Sequence, residues 1–159
     1  MGSIPLGDVS VFFLIIHLDK PPTIGYNTPM KILFLDDQPQ RWHTFCSAMP
    51  EEHLSGCDYA ESYDEAVALV EKNGVNYYTH FFLDHDLEAH HYDSTNLKQE
   101  KNGTMFANWL VENECSADVI VCHSMNPSGR ANMKSILLGR VSDKVLDCPF
   151  GWQFPERFI

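Results

Sequence analysis

Three short runs constrain this chain more than anything else in it: "KILFLDD" (31–37), "YYTHFFLDHDL" (77–87) and "ADVIVCHS" (117–124). Each has a centre that is apolar on both phases of a strand and ends abruptly in acid, or in histidine and serine. A strand that is apolar on both sides is buried on both sides, which happens where helices cover both faces of a parallel sheet. The segments between the runs have the matching helical period. Pro39 suits a first helical turn, and Trp42, Phe45, Cys46 and Met49 follow at i, i+3, i+4 and i+7. Ser62 and Glu65 form a capping box ahead of "YDEAVALVEK", which Asn73-Gly74 stops. "TMFANWLVEN" places Met105, Phe106, Trp109 and Leu110 on one face, and "RANMKSILL" runs to Gly139, with Ser128 after Pro127 as its expected N-cap. A weaker strand is expected around "CDYAES" and a fifth near 141–147. The order (βα)4 plus β, with right-handed crossovers, predicts an α/β fold: a three-layer αβα, doubly wound parallel sheet of flavodoxin-like kind.

This reading places one domain at residues 30–159, preceded by an extension at 1–29. That leader holds a short apolar run and then "DKPPTIGYNTP". It is expected to add an edge strand to the sheet, the alternative being an extension with little part in the chemistry. Its longest apolar stretch, "VSVFFLIIHL" at 9–18, falls short of the roughly 18 residues that span a bilayer, and it has no signal-peptide pattern. The five cysteines (46, 57, 115, 122 and 148) are odd in number and form no CxxC pair, as expected of reduced thiols in a cytoplasmic protein. The sequon Asn102-Gly103-Thr104 then carries no meaning for glycosylation. A formal net charge of -11 without a basic cluster disfavours non-specific nucleic-acid binding.

In such sheets ligands bind outside the carboxyl ends of the strands. There stand Asp36-Asp37, Asp84-His85-Asp86 and His123-Ser124. Taken singly, the first pair reads as a cap on the helix that begins at Pro39, and the second group as strand-end polarity. Together they read as an oxygen-rich site whose charge a divalent cation relieves. Period-two alternation puts Asp84 and Asp86 on one side of their strand and His85 on the other. Oxygen ligands alone suit Mg²⁺ or Mn²⁺, whereas adding His85, His90, His91 or His123 shifts preference toward Mn²⁺, Fe²⁺ or Zn²⁺; spacing does not fix the set. His90 and His91 are ligands or solvated loop residues on equal terms, and His80 reads as a hydrogen-bonded core residue. Phosphate is the natural guest: Ser128, Gly129 and Arg130 open a helix directly after His123-Ser124, where backbone N–H groups and a guanidinium face an anion.

At these residues the chain resembles the receiver fold of response regulators. The pair Asp36-Asp37 matches the metal-binding acids of that family, Asp84 its phosphoacceptor aspartate, and His123 or Ser124 its hydroxyl position at the end of strand 4. Receivers end strand 5 in Lys-Pro, whereas Cys148-Pro149-Phe150 has proline without lysine. From about Met30 to Phe150 the series "ILFLDD…R", "FLDHDL", "NG…A.WL" and "HSMNPSGRANM" more closely resembles the cyclic-phosphate processing receiver-like domain of bacteria and their phages. That resemblance implies enzymes acting on cyclic phosphates from RNA or nucleotide processing, with the acids and the His-Ser pair as active site.

The expected reaction is metal-dependent hydrolysis of a cyclic phosphate on a small nucleotide or ribose derivative. Asp36, Asp37, Asp84 and Asp86 hold one or two metals, Mg²⁺ or Mn²⁺ ahead of Zn²⁺. His123 or His85 protonates the leaving alkoxide. Ser124, with Ser128, Gly129 and Arg130, orients the phosphate. A covalent route through Asp84 stands beside direct attack by water. The rival expectation is a non-catalytic or phosphoacceptor receiver-like module that acts through a protein partner.

Overall fold

The computed structural model describes residues 30–87 and 101–151. The leader, His90, His91 and Asp93 lie outside the described residues. Elements run β1 (Ile32–Leu35), α1 (Pro39–Ala48), α2 (Glu51–Leu54), β2 (Cys57–Ala60), α3 (Tyr63–Asn73), β3 (His80–Leu83), α4 (Gly103–Glu112), β4 (Val119–Cys122), α5 (Pro127–Leu137) and β5 (Val145–Asp147). The five strands form one parallel sheet in the order β2-β1-β3-β4-β5. This is the doubly wound, flavodoxin-like order expected from the sequence. The single turn α2 is an element that the hydrophobic period did not announce.

Alternation along the central strands sorts the core into two halves. Ile32, Phe34, Phe82, Val119 and Val121 pack with Phe45, Met49 and Trp42 of the α1 side. Leu33, Leu35, Phe81, Leu83, Ile120 and Cys122 pack with α3, α4 and α5 on the opposite face. Every described residue of β1 and β4 is buried, which explains why these runs show no polar phase.

The helix starts are chemically specified. The Ser62 side chain accepts from the Glu65 N–H at 3.2 Å, while Glu65 Oε2 accepts from the Glu61 N–H at 2.9 Å, so the returning bond of the box lands one residue before the cap. Ser62→Ala is expected to cost about 1 kcal/mol in chemical unfolding. Asn102 of the sequon caps α4 by accepting from the Met105 N–H at 3.1 Å. At α5 the expectation is corrected. The N-cap is Asn126, whose Oδ1 accepts from the Gly129 N–H at 2.9 Å, and Pro127 opens the helix. Ser128 therefore lies inside the first turn. Proline's fixed φ and missing N–H suit the first helical position, which makes the residue before it the cap.

His80 bonds through Nδ1 to the Thr79 hydroxyl at 2.8 Å, the core role its strand position predicts. All five cysteines are free thiols, and burial pushes Cys57 and Cys122 up to about 12, where they are inert. No helix among the described residues is long and apolar enough to cross a membrane.

Candidate active site

Register and alternation together build the site. Leu35 pairs with Leu83 and Leu83 with Cys122, so the next residues, Asp36, Asp84 and His123, emerge side by side at the carboxyl ends of β1, β3 and β4. Their phase is that of Phe34, Phe82 and Val121, which face α1. Carboxylate oxygens of Asp36, Asp37 and Asp84 lie within 4.8 Å of one another, and all three residues are buried. Burial pushes the Asp36 carboxyl up to about 7; the Asp84 charge adds to this, and the Gln38 amide and Arg41 oppose it.

Arg41 closes the "ILFLDD…R" run without a role assigned to it from the sequence, yet it reaches the centre of the site. It projects from α1 on the same side, and its Nη1 donates to Asp36 Oδ2 and to Asp84 Oδ2, each at 3.2 Å. The remaining oxygens have backbone partners. Asp36 Oδ1 accepts from the Gln38 N–H and Asp84 Oδ1 from the His85 N–H, both at 2.8 Å. The signal was present as an arginine five residues after Asp36, one turn into a helix that starts at Pro39. What hid it was the need to know that α1 packs over the face onto which both aspartates point.

Asp86 departs from the expected metal set. β3 ends at Leu83, and three residues on Asp86 stands outside the Asp36–Asp37–Asp84 cluster and meets the start of α5. Its Oδ1 meets His85 Nδ1 at 2.6 Å and accepts from Asn126 Nδ2 at 3.1 Å. Burial acts to raise its pKa, but these two bonds together with the His85 and Arg41 charges hold the carboxyl below its ordinary value. Asp86 nevertheless lines the same pocket as Asp37, Gln38, Arg41, Asp84, Ser124 and Met125. That pocket has a volume of about 170 Å³. It is smaller than the roughly 300–1,000 Å³ that encloses a drug-sized ligand.

His123 is corrected as a proton donor. Its ring is fully buried, stacked on Phe34 at 4.9 Å with Phe150 edge-on at 5.9 Å. Burial drives its pKa down to about 3, with the Arg41 charge adding to the effect. The 3.6 Å approach of Nδ1 to Asp36 Oδ2 thus joins a neutral ring to the acid and is no ion pair. His123 is a floor beneath the carboxylates. His85, on the opposite phase and partly exposed, is the histidine oriented by an acid.

Ser124 is buried at the pocket wall, and its Oγ accepts from the Asn126 N–H at 3.2 Å. The helix start beyond it is engaged otherwise than expected. The Gly129 N–H is taken by the cap, Arg130 Nε meets Asp147 at 2.5 Å, and Arg130 Nη1 donates to the Ser124 carbonyl at 2.6 Å. Neither Ser128, Gly129 nor Arg130 lines the pocket. Gly129 has a different purpose: a Cβ there would stand 2.3 Å from Cγ and 2.8 Å from Cβ of His85. Gly129→Ala is therefore expected to swing His85 off Asp86 and to cost about 1–3 kcal/mol in unfolding experiments.

Residues 31–139 match the family described as the Cyclic-phosphate processing Receiver domain. This chain belongs to that family. Solved receiver domains share the fold of this cyclic-phosphate processing receiver. A CheY-like response regulator receiver domain protein from Methanospirillum hungatei is similar with a TM-score of 0.50 at 14% identity, over 77% of this chain and 83% of that one. A signal receiver domain from Vibrio parahaemolyticus, described as that of a putative Luxo repressor protein, gives 0.51 at 15% identity, over 76% and 78%. No curated protein matches the chain. At the end of β5 this receiver has Cys148 and Pro149, and the cation that reaches the carboxylates is Arg41 from α1.

Proposed function

We propose that this receiver-fold protein is a metal-dependent phosphoesterase that opens a cyclic phosphate on a small nucleotide or ribose derivative. The observation that carries the reading is the buried trio Asp36, Asp37 and Asp84, three hard oxygen donors held together, two of them ion-paired with Arg41. Three carboxylates at this spacing, with burial opposing the ionisation of Asp36, fit one divalent cation, and an all-oxygen set favours Mg²⁺ or Mn²⁺ over Zn²⁺. Such an ion supplies Lewis-acid polarisation of the phosphoryl oxygen and a water of lowered pKa.

The chain's own groups supply the rest. The small pocket admits the phosphate and leaves the remainder of the substrate outside, beside the exposed Met125 at the rim. Ser124 stands in its wall. His85 is not among the residues lining the pocket but is tied through Nδ1 to Asp86, which is, and this Asp86–His85 pair is the proposed route of a proton to the departing alkoxide, a part for which His123 is too deeply buried. Membership in a family described by cyclic-phosphate processing supports the substrate class.

Incubation of the protein with 2′,3′- and 1″,2″-cyclic phosphates in Mg²⁺, Mn²⁺ or Zn²⁺ tests the reading, and a linear monoester is the expected product. No metal-dependent product from any of them sinks it. The receiver fold supports a second reading, a phosphoacceptor module acting through a partner. Acyl-phosphate on Asp84 from small phosphodonors, without turnover of cyclic substrates, would establish that one instead.

A further inference from the structure

Arg41 is placed unusually for an ion-pairing arginine. Both of its contacts run through one nitrogen, Nη1, and both are 3.2 Å long. Charge-assisted N–H···O bonds are usually about 2.7–2.9 Å, and arginine paired with carboxylate for stability generally uses two nitrogens in a fork. Its Cζ lies 5.8 Å from the centroid of the Phe150 ring, and its side chain is 20% exposed in the pocket mouth. The guanidinium thus spans Asp36 and Asp84 without being locked to either, has an aromatic face beside it, and opens toward the space where a ligand enters.

Among the described residues, Arg41 is the cation ion-paired with Asp36 and Asp84, two members of the buried carboxylate trio. A small divalent cation held by the Asp36 and Asp84 carboxylates would stand about 2.1 Å from its ligand oxygens. Nη1 already holds one oxygen of each of those carboxylates at 3.2 Å. The two cations would then lie within a few ångströms of each other in a poorly screened site, where like charges repel strongly.

Resting on the metal-dependent reading above, we propose that Arg41 is the resident counter-cation of this pocket. A divalent metal and the Arg41 guanidinium are alternative partners of the Asp36–Asp84 pair, and metal entry releases the guanidinium to bind the phosphoryl group. The device ties substrate affinity to metal occupancy. Without metal, the acids hold the arginine; with metal, its planar fork is available to two phosphoryl oxygens.

The test is calorimetric titration of MgCl₂ into the wild-type protein, Arg41→Gln and Arg41→Lys, followed by titration of inorganic phosphate into each protein saturated with Mg²⁺. Arg41→Gln is expected to bind Mg²⁺ about tenfold more tightly and phosphate about tenfold more weakly than wild type. Arg41→Lys, which keeps the charge and loses the fork, should retain near wild-type Mg²⁺ affinity while binding phosphate weakly. Should Arg41→Gln fail to fold, the Arg41 Nε–H resonance of the wild type, followed during Mg²⁺ titration, is expected to shift as the ion pairs break. Mg²⁺ affinity that is unchanged or weaker in Arg41→Gln, unchanged phosphate affinity, or a static Nε–H resonance under saturating Mg²⁺ overturns the exchange. Absence of Mg²⁺ binding to every form removes the metal-dependent reading as well, whereas equal binding to wild type and Arg41→Gln removes only the exchange.

Discussion

Asp84→Asn is expected to lower metal-dependent turnover of a cyclic phosphate by about a thousandfold, the scale of losing one fixed electrostatic partner of the reacting phosphoryl group. Asp84 is the central member of the trio. It directly follows β3, which lies between β1 and β4, and it shares the arginine with Asp36 and the carboxylate cluster with Asp36 and Asp37. The substitution is nearly isosteric: the new amide keeps an oxygen for the His85 N–H, but its NH2 replaces the oxygen that accepts from Arg41, so that charge-assisted bond is lost with the charge. Stability should move much less. The Asp84 side chain is 3% exposed and its charge acts against Asp36, which offsets the lost bond to Arg41, so the metal-free variant should unfold at a temperature close to that of wild type. Activity assays and thermal melts on the same preparation separate the two effects. A variant that is inactive because it is unfolded, or one that keeps wild-type turnover, contradicts the assignment of Asp84.

The sequence exposed the fold because both of the periods that matter were uninterrupted. The runs around Leu33, Phe82 and Val121 lack a polar phase, which only a doubly covered sheet explains, and Ser62 and Gly74 punctuate α3 where the structure does. Asp36, Asp37 and Asp84 were legible for the same reason: each ends a strand, and strand ends share one rim. Legibility failed where the backbone left its period. Asp86 was paired with Asp84 by extending β3 too far, and Ser128 was taken as a cap although Asn126 precedes the proline. His123 lies at the rim in sequence but beneath it in space, because its phase directs it onto Phe34. Arg41 belongs to a different class of omission. Its role depends on which face α1 covers, a tertiary fact that no local pattern of charges encodes.

Gly103→Ala is expected to destabilise the protein by about 3 kcal/mol or more, a reversal of the ordinary sign. Alanine in a first helical turn normally stabilises by about 0.5–1 kcal/mol, since it restricts the unfolded chain and favours the helix. Here the N-terminal residue of α4 is pressed against the segment that carries the site. Its N–H donates to the His85 carbonyl at 2.9 Å, and an added Cβ would stand 2.1 Å from the Asp84 carbonyl oxygen, 2.8 Å from Met133 Sδ and 2.9 Å from His85 Cα. Met133 can change rotamer, but the other two atoms are backbone and cannot swing aside. Either α4 retreats from β3, opening the core around Phe106 and Leu110, or the Asp84–His85 peptide moves and the carboxylate leaves its place beside Asp36. Both responses are costly, and the second also weakens metal binding. Urea unfolding at constant m-value gives the stability change, and calorimetric Mg²⁺ titration shows which response the fold takes. Retained affinity with lost stability assigns the movement to the helix, while a combined loss assigns it to the strand end. A neutral or stabilising substitution would contradict the close seating of α4 against Asp84 that fixes the site's geometry.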